Sequence, residues 1–100
     1  MVRVLSLRTL IAFWTRHADA EQALRAWYKE ADGADWRGPA DIKRRYATAS
    51  FVGGDRVVFN IKGNTYRLVV AVDYVRHTAF VKFVGTHAEY DKIDVAKVEP

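Results

Sequence analysis

The sequence predicts an α+β fold in which N-terminal helices pack on one face of an antiparallel β-sheet. Two observations support this prediction. Apolar residues recur at helical spacing through residues 10–31, and runs rich in β-branched and aromatic residues follow from residue 56 onward. The pair Gly63-Asn64 separates two of the β-rich runs, so a β-meander is expected in the C-terminal half of the chain.

The size and composition of the chain limit the class of protein. One hundred residues, half of them hydrophobic, predict one domain spanning residues 1–100 with a single core. The chain has no cysteine and therefore no disulfide or thiolate metal site, and no apolar run reaches the roughly 18 residues needed to cross a bilayer. We expect a cytoplasmic protein without membrane contact. The net charge of +4 favours an anionic partner.

The N-terminal half is predicted to contain one strand and three helices. Residues 2–7, "VRVLSL", are rich in aliphatic side chains and predict the first strand. Two amphipathic helices follow, with inward residues Leu10, Phe13, Trp14, His17, Ala20, Ala23, Leu24, Trp27 and Ala31. Asp19 and Gln22 suggest a capping box at the start of the second helix, which should end at Gly33. A short third helix is expected over residues 39–46, and the three tryptophans should lie in the core.

The segment "RVVFNIKGNTYRLVVAVD", residues 56–73, predicts a β-hairpin with a defined register. With Gly63 and Asn64 as a two-residue loop, Asn60 faces Arg67 across the strands. One face of the hairpin is then apolar and must be covered by the helices: Val57, Phe59, Ile61, Tyr66, Leu68, Val70 and Val72. The opposite face, here called the open face, carries Arg56, Val58, Asn60, Lys62, Thr65, Arg67, Val69, Ala71 and Asp73.

A third strand of the meander is predicted over residues 78–84, "TAFVKFV". A four-residue loop before it would set Asp73 opposite Thr78 and Arg67 opposite Val84. This register pairs Leu68 with Phe83. It also places Ala79, Val81 and Phe83 in the core and Phe80, Lys82 and Val84 on the open face.

Several ionisable residues follow this strand closely. In "FVGTHAEYDKID", residues 83–94, His87, Tyr90 and Asp91 arrive at the end of the sheet that also carries Asn60, Lys62 and Arg67. Arginine can donate two parallel hydrogen bonds to a phosphate, lysine adds positive charge, and an aromatic ring such as Tyr90 or Phe80 can stack on a base. RNA is therefore a suitable ligand, with Asn60, Lys62 and Lys82 as candidate RNA-binding residues.

RNA also carries its own nucleophile, the 2′-hydroxyl, so a protein can cleave it by supplying a base, an acid and charge stabilisation. His87, Tyr90 and Arg67 have the chemistry for these roles, and Asp91 could orient His87 or Tyr90. This mechanism needs no cofactor. The spacing of His87, Glu89 and Asp91 suits a metal only on a strand, and the sequence offers no second ligand cluster, so we expect no metal site.

Each of these residues also has a purely structural interpretation. His87 could be a loop histidine bonded to a carbonyl group, and Arg67 with Asn60 could be a solvated cross-strand pair. Tyr90 could pack over the edge of the sheet, and Asp91 could cap a short helix. A non-catalytic module that binds RNA or DNA would need the same basic face but not the combination of His87, Tyr90 and Arg67.

The residues 25–74, together with "FVGTHAEYDKID", resemble the HigB toxins of bacterial type II toxin–antitoxin systems, most specifically in "VVFNIKGNTYRLV" and "GTHAEYD". The resemblance implies a RelE-like fold and an mRNA interferase, an endoribonuclease that cuts mRNA, commonly on the ribosome. It also implies a partner antitoxin of helix-turn-helix type, as in HigA. By position, the polar residues that such toxins present correspond here to Asn60, Arg67, His87, Tyr90 and Asp91.

Overall fold

A computed structural model describes residues 1–100 and shows an α+β fold. The strands and helices in chain order are β1 (Arg3–Leu5), α1 (Leu7–Arg16), a 3-10 turn (Ala18–Ala20), α2 (Glu21–Ala31), α3 (Pro39–Arg45), β2 (Ser50–Val52), β3 (Arg56–Ile61), β4 (Tyr66–Asp73), β5 (Thr78–Thr86) and α4 (His87–Tyr90). The predicted fold class is therefore confirmed. None of these helices has the length and apolar character needed to cross a membrane.

The five strands form one sheet in the order β1-β5-β4-β3-β2. Strands β3 to β5 form the predicted antiparallel meander, and β2 extends it by pairing antiparallel with β3. Strand β1 instead pairs with β5 in parallel, with Arg3 opposite Thr78 and Leu5 opposite Phe80. The sheet is thus mixed at one edge. A parallel pair requires a long connection, and here the three N-terminal helices lie within the chain between β1 and β5.

The core lies between the helices and one face of the sheet, here called the helix face. Phe59 on β3 is 1% exposed, and the rings of Trp27, Trp36 and Tyr46 surround it at centroid distances of 5.4, 6.2 and 5.0 Å. Burial of one such side chain contributes roughly 1.5–3 kcal/mol to folding. Trp14 is also buried, which confirms the prediction that all three tryptophans belong to the core.

The start of α2 differs from the predicted capping box. Asp19 lies in the 3-10 turn and α2 begins at Glu21 without a side-chain cap. The Asp19 carboxylate instead accepts a hydrogen bond of 2.6 Å from the Tyr66 hydroxyl and one of 2.9 Å from Lys62 Nζ. It therefore ties the helical layer to the β3–β4 turn, and the capping prediction is wrong.

The predicted β3–β4 register is confirmed. Asn60 lies opposite Arg67, and the Thr65 amide donates to the Lys62 carbonyl oxygen across the turn at 3.2 Å. Positive φ angles occur at Lys62 (54°) and Gly63 (65°), and not at Asn64 as the pair Gly63-Asn64 suggested. A glycine adopts such angles at little cost, whereas the lysine before it bears some strain.

The predicted β4–β5 register is correct only at its start. Asp73 lies opposite Thr78, but beyond a β-bulge at Lys82 the pairing shifts by one residue, so Leu68 faces Val84 and Arg67 faces Gly85. An extra residue reverses the alternation of faces. Val84 is consequently in the core at 8% exposure, whereas Phe83 lies outside the core cluster, opposite to the prediction for both residues.

The open face is less open than the sequence suggested. Arg56, Val58 and Val69 are buried, with exposures of 8%, 4% and 0%. Residues 91–100, here called the 91–100 segment, lie against part of this face, because Arg56 Nη1 donates to the carbonyl oxygen of Val98 at 2.7 Å. The face stays accessible at the end that carries Arg67 and beside Phe80, which is 41% exposed.

Candidate functional site

Arg67 on β4 and His87 at the start of α4 meet through the β3–β4 turn. Arg67 Nη1 lies 2.7 Å from Asn64 Oδ1 and 3.0 Å from His87 Nε2. His87 Nε2 also contacts the carbonyl oxygen of Asn64. The structure therefore brings together Arg67 and His87, two residues separated by 20 positions in the chain, as the sequence predicted.

The hydrogen bonds of His87 define which ring nitrogen is free. A carbonyl oxygen only accepts hydrogen bonds, so its contact with His87 Nε2 requires a proton on that nitrogen, and the neutral ring then carries its lone pair on Nδ1. Protonated Nε2 and the Arg67 guanidinium are both donors, and Asn64 accepts from each of them through a different oxygen. Asn64 thus holds the imidazole and the guanidinium side by side and leaves Nδ1 available for a ligand.

The short helix α4 is fixed by a capping box. Thr86 Oγ1 accepts a hydrogen bond of 3.2 Å from the Glu89 amide, and Glu89 Oε1 accepts one of 2.8 Å from the Thr86 amide. These bonds set the direction in which the helix leaves β5 and therefore the positions of His87 and Tyr90. The Glu89 carboxylate therefore stabilises the start of α4.

Tyr90 completes a cluster that we call the Arg67 corner, composed of Asn64, Arg67, His87 and Tyr90. The Arg67 guanidinium carbon lies 5.8 Å from the centroid of the Tyr90 ring, within the range of a cation–π interaction. Tyr90 is half-buried, whereas His87 is exposed. The corner thus combines a planar cation, an imidazole with a free nitrogen and a phenol on an accessible surface.

Asp91 and Asn60 are near the corner but make no side-chain hydrogen bond within it. Asp91 is the exposed C-cap residue of α4, and its amide donates to the His87 carbonyl oxygen at 2.9 Å. Its carboxylate has no hydrogen bond to His87 or Tyr90, so the structure does not show the orienting contact that the sequence suggested. Asn60 faces Arg67 across the strands and is half-buried.

The two candidate lysines are engaged elsewhere. The Lys62 ammonium pairs with Asp19 on the helix face, because the positive φ angle of Lys62 interrupts the strand alternation and turns the side chain away from Arg67. The Lys82 ammonium pairs with Glu99 at 2.8 Å, and only 17% of its side chain is exposed. Neither lysine belongs to the Arg67 corner.

The titration properties of Asp19 follow from its contacts. The Tyr66 hydroxyl and, next, the Lys62 ammonium hold the pKa of Asp19 below its usual range, because both groups stabilise the carboxylate. The same hydrogen bond raises the pKa of Tyr66.

No group of three or more His, Asp or Glu side chains is arranged to hold a metal ion, and His87, Glu89 and Asp91 do not form one.

Two features of the site were missed at the level of sequence. The sequence predicts only a turn position for Asn64, whereas in the structure it bonds both Arg67 and His87. The capping box was also missed, and here a signal existed, because Thr86 and Glu89 have the spacing of the known motif. Asn64 carries no comparable signal, since its contacts depend on the fold of the turn.

A family model for HigB toxins, described as the RelE-like toxic component of a toxin–antitoxin system, matches residues 20–93. The chain belongs to the HigB toxin family. The match includes α2, α3, all four strands of the meander and α4, and thus every element that forms the Arg67 corner. A comparison with curated proteins gave no match.

Membership of the HigB family agrees with the fold, since the α+β architecture is consistent with a RelE-like fold. It gives the chain the role of the toxic component in a toxin–antitoxin pair and implies an antitoxin as partner. The resemblance derived from the residues of the hairpin and of "GTHAEYD" is therefore confirmed.

Proposed function

We propose that this HigB-family toxin is an mRNA interferase, an endoribonuclease that cleaves mRNA on the translating ribosome. The observation that carries the proposal is the Arg67 corner, in which a guanidinium, an imidazole and a phenol meet at an accessible end of the sheet. A module that only binds RNA needs charge and stacking, whereas cleavage needs groups that transfer protons beside a phosphate-binding cation.

The proposed reaction uses the 2′-hydroxyl of the RNA as nucleophile. The 2′-oxygen attacks the adjacent phosphorus and the bond from phosphorus to the 5′-oxygen of the next nucleotide breaks, which yields a 2′,3′-cyclic phosphate and a 5′-hydroxyl. A base removes the 2′-hydroxyl proton and an acid protonates the leaving oxygen. No step requires a cofactor.

The side chains of the corner supply these roles in the proposal. His87 Nδ1, which has no hydrogen bond in the free protein, is positioned to accept or donate a proton, and the Tyr90 hydroxyl serves as the second proton carrier. Arg67 stabilises the charge that develops on the phosphate oxygens, because its guanidinium can donate two parallel hydrogen bonds. Asn64 positions Arg67 and His87.

The remaining candidate residues enter the proposal with secondary roles. Asp91 adjoins Tyr90 at the end of α4, and its contact with a catalytic group would form only in the RNA complex. Asn60 lies opposite Arg67 on the strand and would contact RNA beside it. Lys62 and Lys82 would contribute charge to RNA only after release from their carboxylate partners.

We propose mRNA and the ribosome as partners in the cytoplasm, and a helix-turn-helix protein of the HigA type as the antitoxin. The family supports an antitoxin partner, and the net charge of +4 supports an anionic one. Single-stranded RNA suits the corner, because Tyr90 and Arg67 can both stack on an unpaired base.

Induced expression in a bacterial host tests this function. The wild-type chain should arrest growth and translation, and messages should become shorter within minutes, whereas the His87→Gln variant should accumulate as folded protein without these effects. Growth and transcript integrity that stay unchanged while soluble, folded wild-type protein accumulates would contradict the proposal. Translation arrest with intact transcripts would instead support the non-catalytic RNA-binding module.

A further inference from the structure

A second cationic cluster lies on the same face of the sheet as the Arg67 corner, at the opposite end of the strands. Arg56 on β3 and Lys82 at the bulge of β5 both contact the carboxylate of Glu99, with distances of 3.2 Å from Arg56 Nη2 and 2.8 Å from Lys82 Nζ. A single carboxylate thus bridges two cations that belong to different strands.

The burial of these groups is unequal. Only 8% of the Arg56 side chain and 17% of the Lys82 side chain are exposed, whereas 61% of the Glu99 side chain is exposed. Arg56 Nε is also buried without a hydrogen bond, and its nearest carboxylate, that of Asp55, lies 3.6 Å away. The cations are therefore built into the sheet, while the anion that covers them comes from the surface-lying 91–100 segment.

The surroundings of the two cations suit RNA. A shallow groove next to them is lined by Ala71, Asp73, Arg76, Thr78 and Phe80. Phe80 is 41% exposed, and Lys82 Nζ lies 4.9 Å from the centroid of its ring, so the groove offers an aromatic surface beside a positive charge. An exposed phenylalanine of this kind can stack on a base while a neighbouring cation binds its phosphate.

The position of the cluster relative to the Arg67 corner fits one extended ligand. Arg56 pairs with Ala71, which lies on the same strand as Arg67 and four residues beyond it. At about 3.3 Å per residue, the two sites are roughly 13 Å apart along the sheet. A single-stranded RNA of a few nucleotides could contact both.

We propose that Arg56 and Lys82 form a second phosphate-binding subsite for the RNA backbone, and that the Glu99 carboxylate occupies this subsite in the free protein. The inference rests on the proposed function, because that function supplies RNA as the ligand. Both a carboxylate and a phosphate accept hydrogen bonds from guanidinium and ammonium groups, so one can replace the other. RNA that reaches the subsite must displace Glu99.

The charge of Glu99 is consistent with this role. The Lys82 ammonium and, less strongly, the Arg56 guanidinium hold the pKa of Glu99 below its usual range, so the carboxylate is ionised at neutral pH. Loss of that charge removes the competitor from the subsite and leaves the two cations free for a phosphate.

The test measures how tightly wild type and variants bind a fluorescent single-stranded oligoribonucleotide. The probe carries 2′-methoxy groups and therefore cannot be cleaved through the 2′-oxygen. Glu99→Gln should bind this probe about two- to fivefold more tightly than wild type, since an ion pair with an exposed carboxylate contributes only modestly. The slope of log affinity against log salt should become steeper by about 0.7, as expected for one additional phosphate contact. Lys82→Gln in the Glu99→Gln background should remove the gain.

Glu21→Gln is the matched control. It makes the same change of net charge, and Glu21 is an exposed glutamate paired with Arg25 on α2, away from the open face. Equal affinity and equal salt dependence for Glu99→Gln and Glu21→Gln would overturn the subsite and leave Glu99 as an anchor of the 91–100 segment. Absence of any probe binding at low salt would overturn it as well. Thermal unfolding of each variant confirms that the fold is retained.

The result of this binding test can be distinguished from the result of the test of the proposed function. Tighter probe binding by Glu99→Gln, together with RNA that stays intact when the wild-type protein is present in a translating extract, would support the subsite and refute the nuclease activity. Cleavage by wild type with no difference between the two glutamine variants would keep the nuclease and refute the subsite.

Discussion

Replacement of Arg67 should separate activity from stability. Arg67→Ala removes one hydrogen bond to Asn64 and the cation–π contact with Tyr90, both at an accessible surface. Together these contacts contribute about 1 kcal/mol to folding, which corresponds to a decrease in melting temperature of about 5 °C for a domain of this size. Loss of the charged donor beside the reacting phosphate should instead cost roughly 3 kcal/mol, on the order of a hundredfold in cleavage rate.

Arg67→Lys refines this prediction. Lysine retains the charge but not the planar pair of donors, so the variant should bind RNA better than Arg67→Ala and still cleave it poorly. Both variants should be measured for thermal unfolding and for cleavage of mRNA in a translating extract. Arg25→Ala is the control, because Arg25 has an exposed ion pair with Glu21 and lies 4.6 Å from the centroid of the Trp14 ring on the helical layer.

Two results would refute the reasoning about Arg67. Cleavage by Arg67→Lys at the wild-type rate would show that two parallel hydrogen bonds to the phosphate are not needed. Unfolding of Arg67→Ala at the growth temperature would show that Arg67 has a structural role that its half-buried position and its few contacts do not reveal. A hundredfold loss in the Arg25→Ala control would show that the assay reports a general effect of lost charge.

Gly85→Ala should reduce both stability and cleavage, because the added Cβ would lie 2.5 Å from Phe83 Cζ and 2.9 Å from Glu89 Oε1, and overpacking of this kind costs about 1–3 kcal/mol. Unchanged thermal unfolding and activity would show that this corner is loosely packed. Asp19→Asn should destabilise the chain at neutral pH. Because the pKa of Asp19 is lowered in the folded state, its contribution is complete above its unfolded pKa of about 4 and is lost as the pH falls through the folded value. The difference in unfolding free energy between wild type and Asp19→Asn should therefore be constant from pH 7 to about pH 5 and shrink below about pH 4. A difference as large at pH 3 as at pH 7 would assign the effect to shape and not to charge.

The parts of the fold that the sequence predicted correctly are those with local signals. The β3–β4 register follows from a short turn at Gly63 and from one face that is apolar throughout, so a slip by one residue would turn that whole apolar face away from the helices. The helices and their buried faces follow from apolar spacing. These signals lie within a few residues of the structure that they specify.

The incorrect predictions concern features that depend on contacts between distant residues. The bulge at Lys82 has no marker in "TAFVKFV", where apolar residues fall on both faces, yet it reverses the faces of Phe83 and Val84. The direction of the Lys62 side chain depends on its positive φ angle and on Asp19, 43 residues away. The cover over Arg56 comes from a segment 42 residues later in the chain. Local periodicity contains no information about such contacts.

In the candidate site, too, features with local sequence signals could be predicted, and features that depend on the folded structure could not. The meeting of Arg67 with His87 and Tyr90 could be predicted, because the hairpin and the end of β5 deliver them to one end of the sheet. The bulge changed the partner of Arg67 from Val84 to Gly85 without moving it from that end. The involvement of Asn64 could not be predicted, because it depends on the turn geometry. The catalytic roles of these residues stay a prediction.

The most direct measurement is the chemical identity of the cleavage products, made in a translating extract with an mRNA that carries a single 2′-methoxy nucleotide at the mapped cut position. The unmodified message should yield fragments that end in a 2′,3′-cyclic phosphate and begin with a 5′-hydroxyl, and the modified message should remain intact at that position. Normal cleavage of the modified message, or fragments that begin with a 5′-phosphate, would contradict attack by the 2′-hydroxyl and with it the proposed chemistry of Arg67, His87 and Tyr90.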